Sequence, residues 1–178
     1  VLHFSCHGER VKSEMENRLD GLDECVVTYH AVAPGLSKDF EKDQAAYLRG
    51  YVLGRFITKI RIRLGSKGDL MVFLDYCHSG TGTRGLSKVR GGQPPLVPKG
   101  TKNSQAWKSD SSGLLREIVK MRYSEENLSP FVVFSATRPE ELDYETTTES
   151  GEGIGSLTYA ISKSFTQLPA GATYRTLF

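Results

Sequence analysis

Three short runs carry side chains able to attack or polarise a carbonyl. Cys6-His7-Gly8 follows the apolar stretch 1–5, Asp75-Tyr76-Cys77-His78-Ser79-Gly80 follows the apolar run 70–74, and Ser135-Ala136-Thr137 follows 131–134. A free thiol has a pKa of about 8.5, so only a small fraction is the nucleophilic thiolate near neutral pH. An imidazole beside it can take the proton and return it to a leaving amine. Cys77 is therefore the candidate nucleophile and His7 the candidate base. Gly8 offers a backbone N–H with no Cβ in the way. With the N–H of Cys77 it can form an oxyanion hole, worth roughly 3–4 kcal/mol per donor. Other readings stay open on the residues alone. Cys77 has the type of an ordinary buried thiol. His78 is a second candidate base, although adjacent residues on an extended chain point opposite ways. Cys6, His7, Cys77 and His78 are also zinc-ligand types, but no C-x-x-C pair fixes that geometry.

His7 and Cys77 are 70 positions apart, so the elements must bring them together. Residues 1–5 read as a short buried strand. Residues 9–24 are polar and turn-rich, with Asp20-Gly21 as a turn signal, and 25–29 read as a second short strand. Pro34-Gly35 marks a loop over 33–43. Leu48, Val52, Phe56, Ile60 and Leu64 recur every four residues, predicting a helix with one apolar stripe that Gly65 stops. The continuous apolar run 70–74 suits a strand covered on both faces. Residues 80–112 are irregular, 114–121 form a short amphipathic helix, and 131–134 a third buried strand. Residues 140–153 read as an acidic loop. Ser156 is placed to cap a last helix with Leu157, Ile161, Phe165 and Leu168 on one face. Strands alternating with helices predict an α/β fold with a mostly parallel central sheet. In such sheets sites form beyond the carboxyl ends of the strands, where all three chemical runs lie.

Composition bounds the rest. The 178 residues suit one domain, 1–178, with a sizeable core. A net charge of +2, spread along the chain, gives no basic face for nucleic acid. Hydrophobic residues at 38% and charged residues at 25% match a soluble globular chain, and no apolar run is long enough for a membrane span. Three cysteines make no disulfide framework, which favours a reducing, cytoplasmic compartment. Apolar residues at both chain ends suggest a fragment whose flanking elements are absent.

The blocks His7-Gly8, Asp20-Gly21-Leu22-Asp23-Glu24, Asp75-Tyr76-Cys77-His78-Ser79-Gly80 and Gly155-Ser156-Leu157-Thr158-Tyr159-Ala160, in that order, resemble the caspase-like cysteine peptidases. The similarity is greatest to the metacaspase and prokaryotic orthocaspase branch. It spans nearly the whole chain and is weakest over 86–128. The resemblance implies a three-layer α/β sandwich of caspase-hemoglobinase type, with a dyad mapping onto Cys77 and His7. It also implies cleavage after Arg, less often Lys, with Asp75 and Ser5 lining the S1 pocket. A carboxylate there would pair with a guanidinium through charge-assisted hydrogen bonds. The expected partner is thus a protein or peptide substrate with a basic P1 residue. The resemblance further implies an N-terminal strand and helices, supplied by the same protein or a second chain. No cofactor is expected. Calcium-binding relatives carry paired acids where this chain has Leu48-Arg49-Gly50-Tyr51-Val52, and Asp20, Asp23 and Glu24 make a poor oxygen set by themselves. The loop 80–112 resembles a cleavable linker, with Lys88, Arg90, Lys99, Lys102 and Lys108 as self-processing points. The competing function is a non-catalytic relative serving as scaffold or regulatory partner, against which retention of both dyad residues weighs.

Overall fold

The computed structural model describes residues 1–13, 22–31, 46–76, 127–137 and 143–177. Cys77 and His78, the Asp20-Gly21 turn, the loop around Pro34-Gly35, the irregular stretch 80–112 and the helix expected at 114–121 lie outside the described residues.

Strand β1 (Leu2–Ser5), β5 (Leu70–Asp75) and β6 (Phe131–Ser135) form a parallel sheet in the order β1-β5-β6. The register sets Ser5 opposite Asp75 and Leu74 opposite Ser135, so the carboxyl ends of all three strands share one edge. The apolar run of β5 explains its central position. Leu70, Val72 and Leu74 point one way and join a buried cluster with Leu53, Ile57 and Tyr76. Leu2, Phe4, Cys6, Phe131 and Val133 pack on the same cluster. Strand alternation turns His3, Ser5, Phe73 and Asp75 to the other face. There Phe73 stacks on Phe134, with ring centroids 5.1 Å apart. β1 is half-buried rather than buried: among the described residues it pairs only with β5, and its His3 and Ser5 remain exposed.

A second sheet departs from the sequence expectation. Residues 9–24 read as turn-rich, yet β2 (Gly8–Lys12) pairs antiparallel with β3 (Leu22–Val27), which pairs with β4 (Tyr47–Arg49). The polar composition misled because this sheet buries its charges. Glu9, Arg10, Asp23 and Arg49 are each no more than 6% exposed. Arg49 places a guanidinium nitrogen 2.7 Å from Asp23 Oδ2 and donates to the Lys12 carbonyl at 2.9 Å, while the Ser13 hydroxyl donates to Asp23 Oδ1 at 2.9 Å. Burial pushes the Glu9 carboxyl above the ordinary carboxylate range. Removing one member of a buried ion pair strands the other, costing about 3–5 kcal/mol. Arg49→Met should therefore lower the urea midpoint of the full-length protein by that equivalent. The double variant Asp23→Leu/Arg49→Met should recover most of it; recovery of none would mean that the pair does not hold this sheet together.

Helix α1 (Gly50–Leu64) starts two residues later than the apolar repeat, because Tyr47–Arg49 is claimed by β4. Gly65 ends it as expected, at φ 65°, with its N–H donating to the Arg61 carbonyl. The buried face differs from the expected stripe. Leu53, Gly54, Ile57, Thr58 and Arg61 are buried, whereas Phe56 is 52% and Leu64 42% exposed. A row spaced by four drifts about 40° per step on a 3.6-residue helix, so the five residues wind around the axis. Arg61 is buried with its guanidinium over the Phe131 ring and its Nε donating to the Ser129 carbonyl at 2.8 Å.

The acidic stretch after β6 forms a hairpin over its described part, β7 (Glu145–Thr147) against β8 (Gly153–Gly155). Helix α2 (Ser156–Phe165) follows directly, then a short α3 (Tyr174–Leu177). Ser156 does not cap α2. Gly155 occupies the cap position, and the Ser156 hydroxyl donates instead to the buried Asp143 carboxylate at 2.7 Å. Leu157 and Ile161 are half-buried, Phe165 is exposed, and Leu168 lies past the helix end. Among the described residues no helix is long and apolar enough to cross a membrane.

Candidate active site

The shared carboxyl edge brings two of the sequence-predicted residues into contact. The Ser5 hydroxyl donates to Asp75 Oδ2 at 3.3 Å. The parallel ladder runs one residue further, with the Cys6 N–H donating to the Asp75 carbonyl at 3.3 Å. Beyond β6, the Ala136 N–H donates to the Leu74 carbonyl at 2.9 Å, so the third run, Ser135-Ala136-Thr137, stays at the same edge.

His7 sits where β1 passes into β2, with an exposed side chain. Its carbonyl accepts the Val27 N–H at 2.9 Å, tying this corner to the second sheet. The register pairs Gly8 with Val26. Because antiparallel pairs alternate between bonded and non-bonded, the bond at His7 turns the Gly8 N–H away from β3. That donor is therefore not consumed by the β2–β3 ladder. Cys77 directly follows the buried Tyr76 in sequence and lies outside the described residues.

The other described cysteines have different surroundings. Burial pushes the Cys25 thiol up to about 12, so it stays protonated and unreactive at neutral pH. Burial likewise drives the Tyr76 hydroxyl far above the usual phenol range. Cys6 packs on the buried cluster beneath β5, while His7 is exposed. Among the described residues no three histidine, cysteine or acidic side chains gather as a metal site.

Asp75 is the most constrained acid at this edge. Its side chain is fully buried. Besides Ser5, the Thr158 N–H donates to Oδ2 at 2.9 Å and the Thr158 hydroxyl donates to the same oxygen. Thr158 is the third residue of α2, so Asp75 satisfies an orphan helix N–H as a capping side chain does, from a strand 83 positions upstream. The other oxygen, Oδ1, has no hydrogen-bond partner among the described residues. Gly155 lies so close that a Cβ added there would overlap the Asp75 carboxylate.

Sequence reasoning quoted Gly155 and Thr158 within a family block without giving either a role at the site, and passed over His3. The signal available was a glycine immediately before a helix, which marks close backbone approach as well as a helix start. His3 joins the same group, its Nε2 lying 2.9 Å from Thr158 Oγ1. A groove of about 400 Å³ runs beside this edge, lined by Ser135, Ala136, Leu157, Ala160, Ile161 and Leu177 among others.

Set against known proteins, residues 1–178 match a family model described as a caspase domain of the peptidase C14 type. No curated protein and no solved structure matches.

Proposed function

The chain belongs to the caspase-domain family of cysteine peptidases, and on that premise we propose that it is an endopeptidase cleaving after basic residues, Arg more readily than Lys. The observation that carries this reading is the buried Asp75 carboxylate at the carboxyl edge of the parallel sheet, two positions before Cys77, with Oδ1 lacking a hydrogen-bond partner among the described residues. A buried acceptor left unpaired is costly, and a P1 cation arriving from a substrate satisfies it. It would equally exclude a P1 aspartate. Asp75 and Ser5, already hydrogen-bonded to each other, are the S1 residues of this reading.

In this reaction His7 takes the proton of the Cys77 thiol, and the sulfur attacks the carbonyl carbon of the P1 residue. The N–H groups of Gly8 and Cys77 receive the oxyanion. His7 then protonates the departing amine, leaving a thioester. A water, deprotonated by His7, hydrolyses it and restores the thiol. Sequence connectivity supports the pairing: Ser5 lies opposite Asp75, and His7 and Cys77 each follow two residues later in the chain.

The finer family features belong to the same proposal. They are the three-layer sandwich of metacaspase type, a reducing cytoplasmic setting, and self-processing at Lys88, Arg90, Lys99, Lys102 or Lys108. Asp23, with both oxygens engaged by Ser13 and Arg49, supports action without calcium.

Fluorogenic peptides that differ only at P1 test the reading on the full-length protein. The Arg peptide should be cleaved, with equal rates in chelator and in added calcium, and the Asp peptide should not. Cleavage after Asp with none after Arg would overturn it.

A further inference from the structure

We propose that Thr158 is a specificity-determining positioning residue, holding the Asp75 carboxylate so that a P1 cation meets a single oxygen, Oδ1, end-on. This rests on the S1 reading of Asp75 given above. Three donors converge on Oδ2: the Ser5 hydroxyl, the Thr158 N–H and the Thr158 hydroxyl. A carboxylate oxygen has about two lone-pair sites, so Oδ2 has no capacity left for a ligand. Oδ1 is buried and has no hydrogen-bond partner among the described residues.

The arrangement is locked from two sides. Gly155 packs against the carboxylate so closely that any side chain there would displace it. The single proton of the Thr158 hydroxyl goes to Asp75, an acceptor only, so the His3 Nε2 at 2.9 Å must be the donor to Thr158 Oγ1. His3 thereby fixes the hydroxyl in the rotamer that reaches Asp75.

The consequence is a difference from a fork-to-fork site. A bidentate Arg contact needs both carboxylate oxygens. With one available, a guanidinium gains a single charge-assisted bond, as an ammonium does. Asp75 then recognises positive charge and discriminates weakly between Arg and Lys.

The test uses full-length protein, with rates expressed per active site titrated by a peptidyl arginine chloromethylketone. In the wild type, kcat/KM for Arg-P1 and Lys-P1 peptides should agree within about tenfold, the size of one hydrogen-bond difference. Thr158→Val keeps the side-chain shape and the backbone N–H but removes the hydroxyl. It should raise KM for both peptides by about five- to tenfold with kcat nearly unchanged, and Thr158→Ser should restore both. Misfolding alone would reduce the titrated sites and leave KM where it was. A wild type that cleaves after neither basic residue removes the S1 reading and this proposal together. A wild type that cleaves after Arg, but with a wider Arg-to-Lys ratio or an unmoved KM in Thr158→Val, overturns the positioning role alone.

Discussion

Cys77→Ala should abolish cleavage of an Arg-P1 peptide, with a loss of about 10⁴-fold or more, as expected when a covalent nucleophile is removed. The same variant should remain uncut over 80–112 on incubation if the chain processes itself. His7→Ala should lose about 10²–10⁴-fold in kcat, the usual contribution of a positioned acid–base. Its residual activity carries the diagnostic feature. Without an imidazole to take the proton, the thiol must ionise by itself, so the remaining rate should climb with pH towards the free thiol pKa of about 8.5. The geometry of the strand ends supports His7 in this role. β1 and β5 run parallel with Ser5 opposite Asp75, so the two chain segments leaving those ends start as neighbours. The His7 carbonyl is held by β3, and the side chain is exposed at that edge. A His7→Ala protein keeping more than a tenth of wild-type kcat would shift the base to another residue, His78 being the nearest in sequence to the thiol.

Asp75→Asn should separate substrate recognition from folding. The side-chain carbonyl of this variant can still accept the Thr158 N–H, so the cap of α2 survives in part. The amide nitrogen then takes the place of Oδ1 and presents hydrogen-bond donors to the P1 cation. One charge-assisted bond is lost, and donor faces donor in a buried site. The value of kcat/KM for the Arg peptide should therefore fall about a hundredfold or more. Stability should change little by comparison. Weakening a helix cap costs about 1 kcal/mol, while removing a buried charge whose second oxygen is unpaired recovers some of that. Urea midpoints and peptide kinetics measured on the same preparation read the two effects apart. If the variant keeps its Arg-P1 activity while its midpoint falls by several kcal/mol equivalent, Asp75 is an anchor for α2 and nothing more.

These expectations lean unequally on local and long-range information. The β5 run, the stop at Gly65 and the parallel arrangement of the three strands that precede the chemical runs were legible from residue patterns, because each is a short-range consequence of apolar periodicity or backbone freedom. The family was legible from the ordered blocks around His7 and Cys77. The polar residues of β2 gave the opposite impression from the truth, since hydropathy cannot tell a solvated charge from one buried beside its partner. Likewise the four-residue apolar row on α1 named the helix but not the face that packs.

The site itself divides along the same line. Asp75 and Ser5 were named from sequence, and parallel pairing put them opposite one another. Three features that set the chemistry of Asp75 came only with the tertiary structure: the three donors on Oδ2, the unpartnered Oδ1 and the glycine against the carboxylate. So did the pairing of Arg49 with Asp23. Periodicity along a chain records which residues avoid water, and that pattern repeats every two or 3.6 positions. A hydrogen bond between positions 75 and 158, or an ion pair between 23 and 49, leaves no such repeat, because its partners meet only after the strands and helix between them have packed.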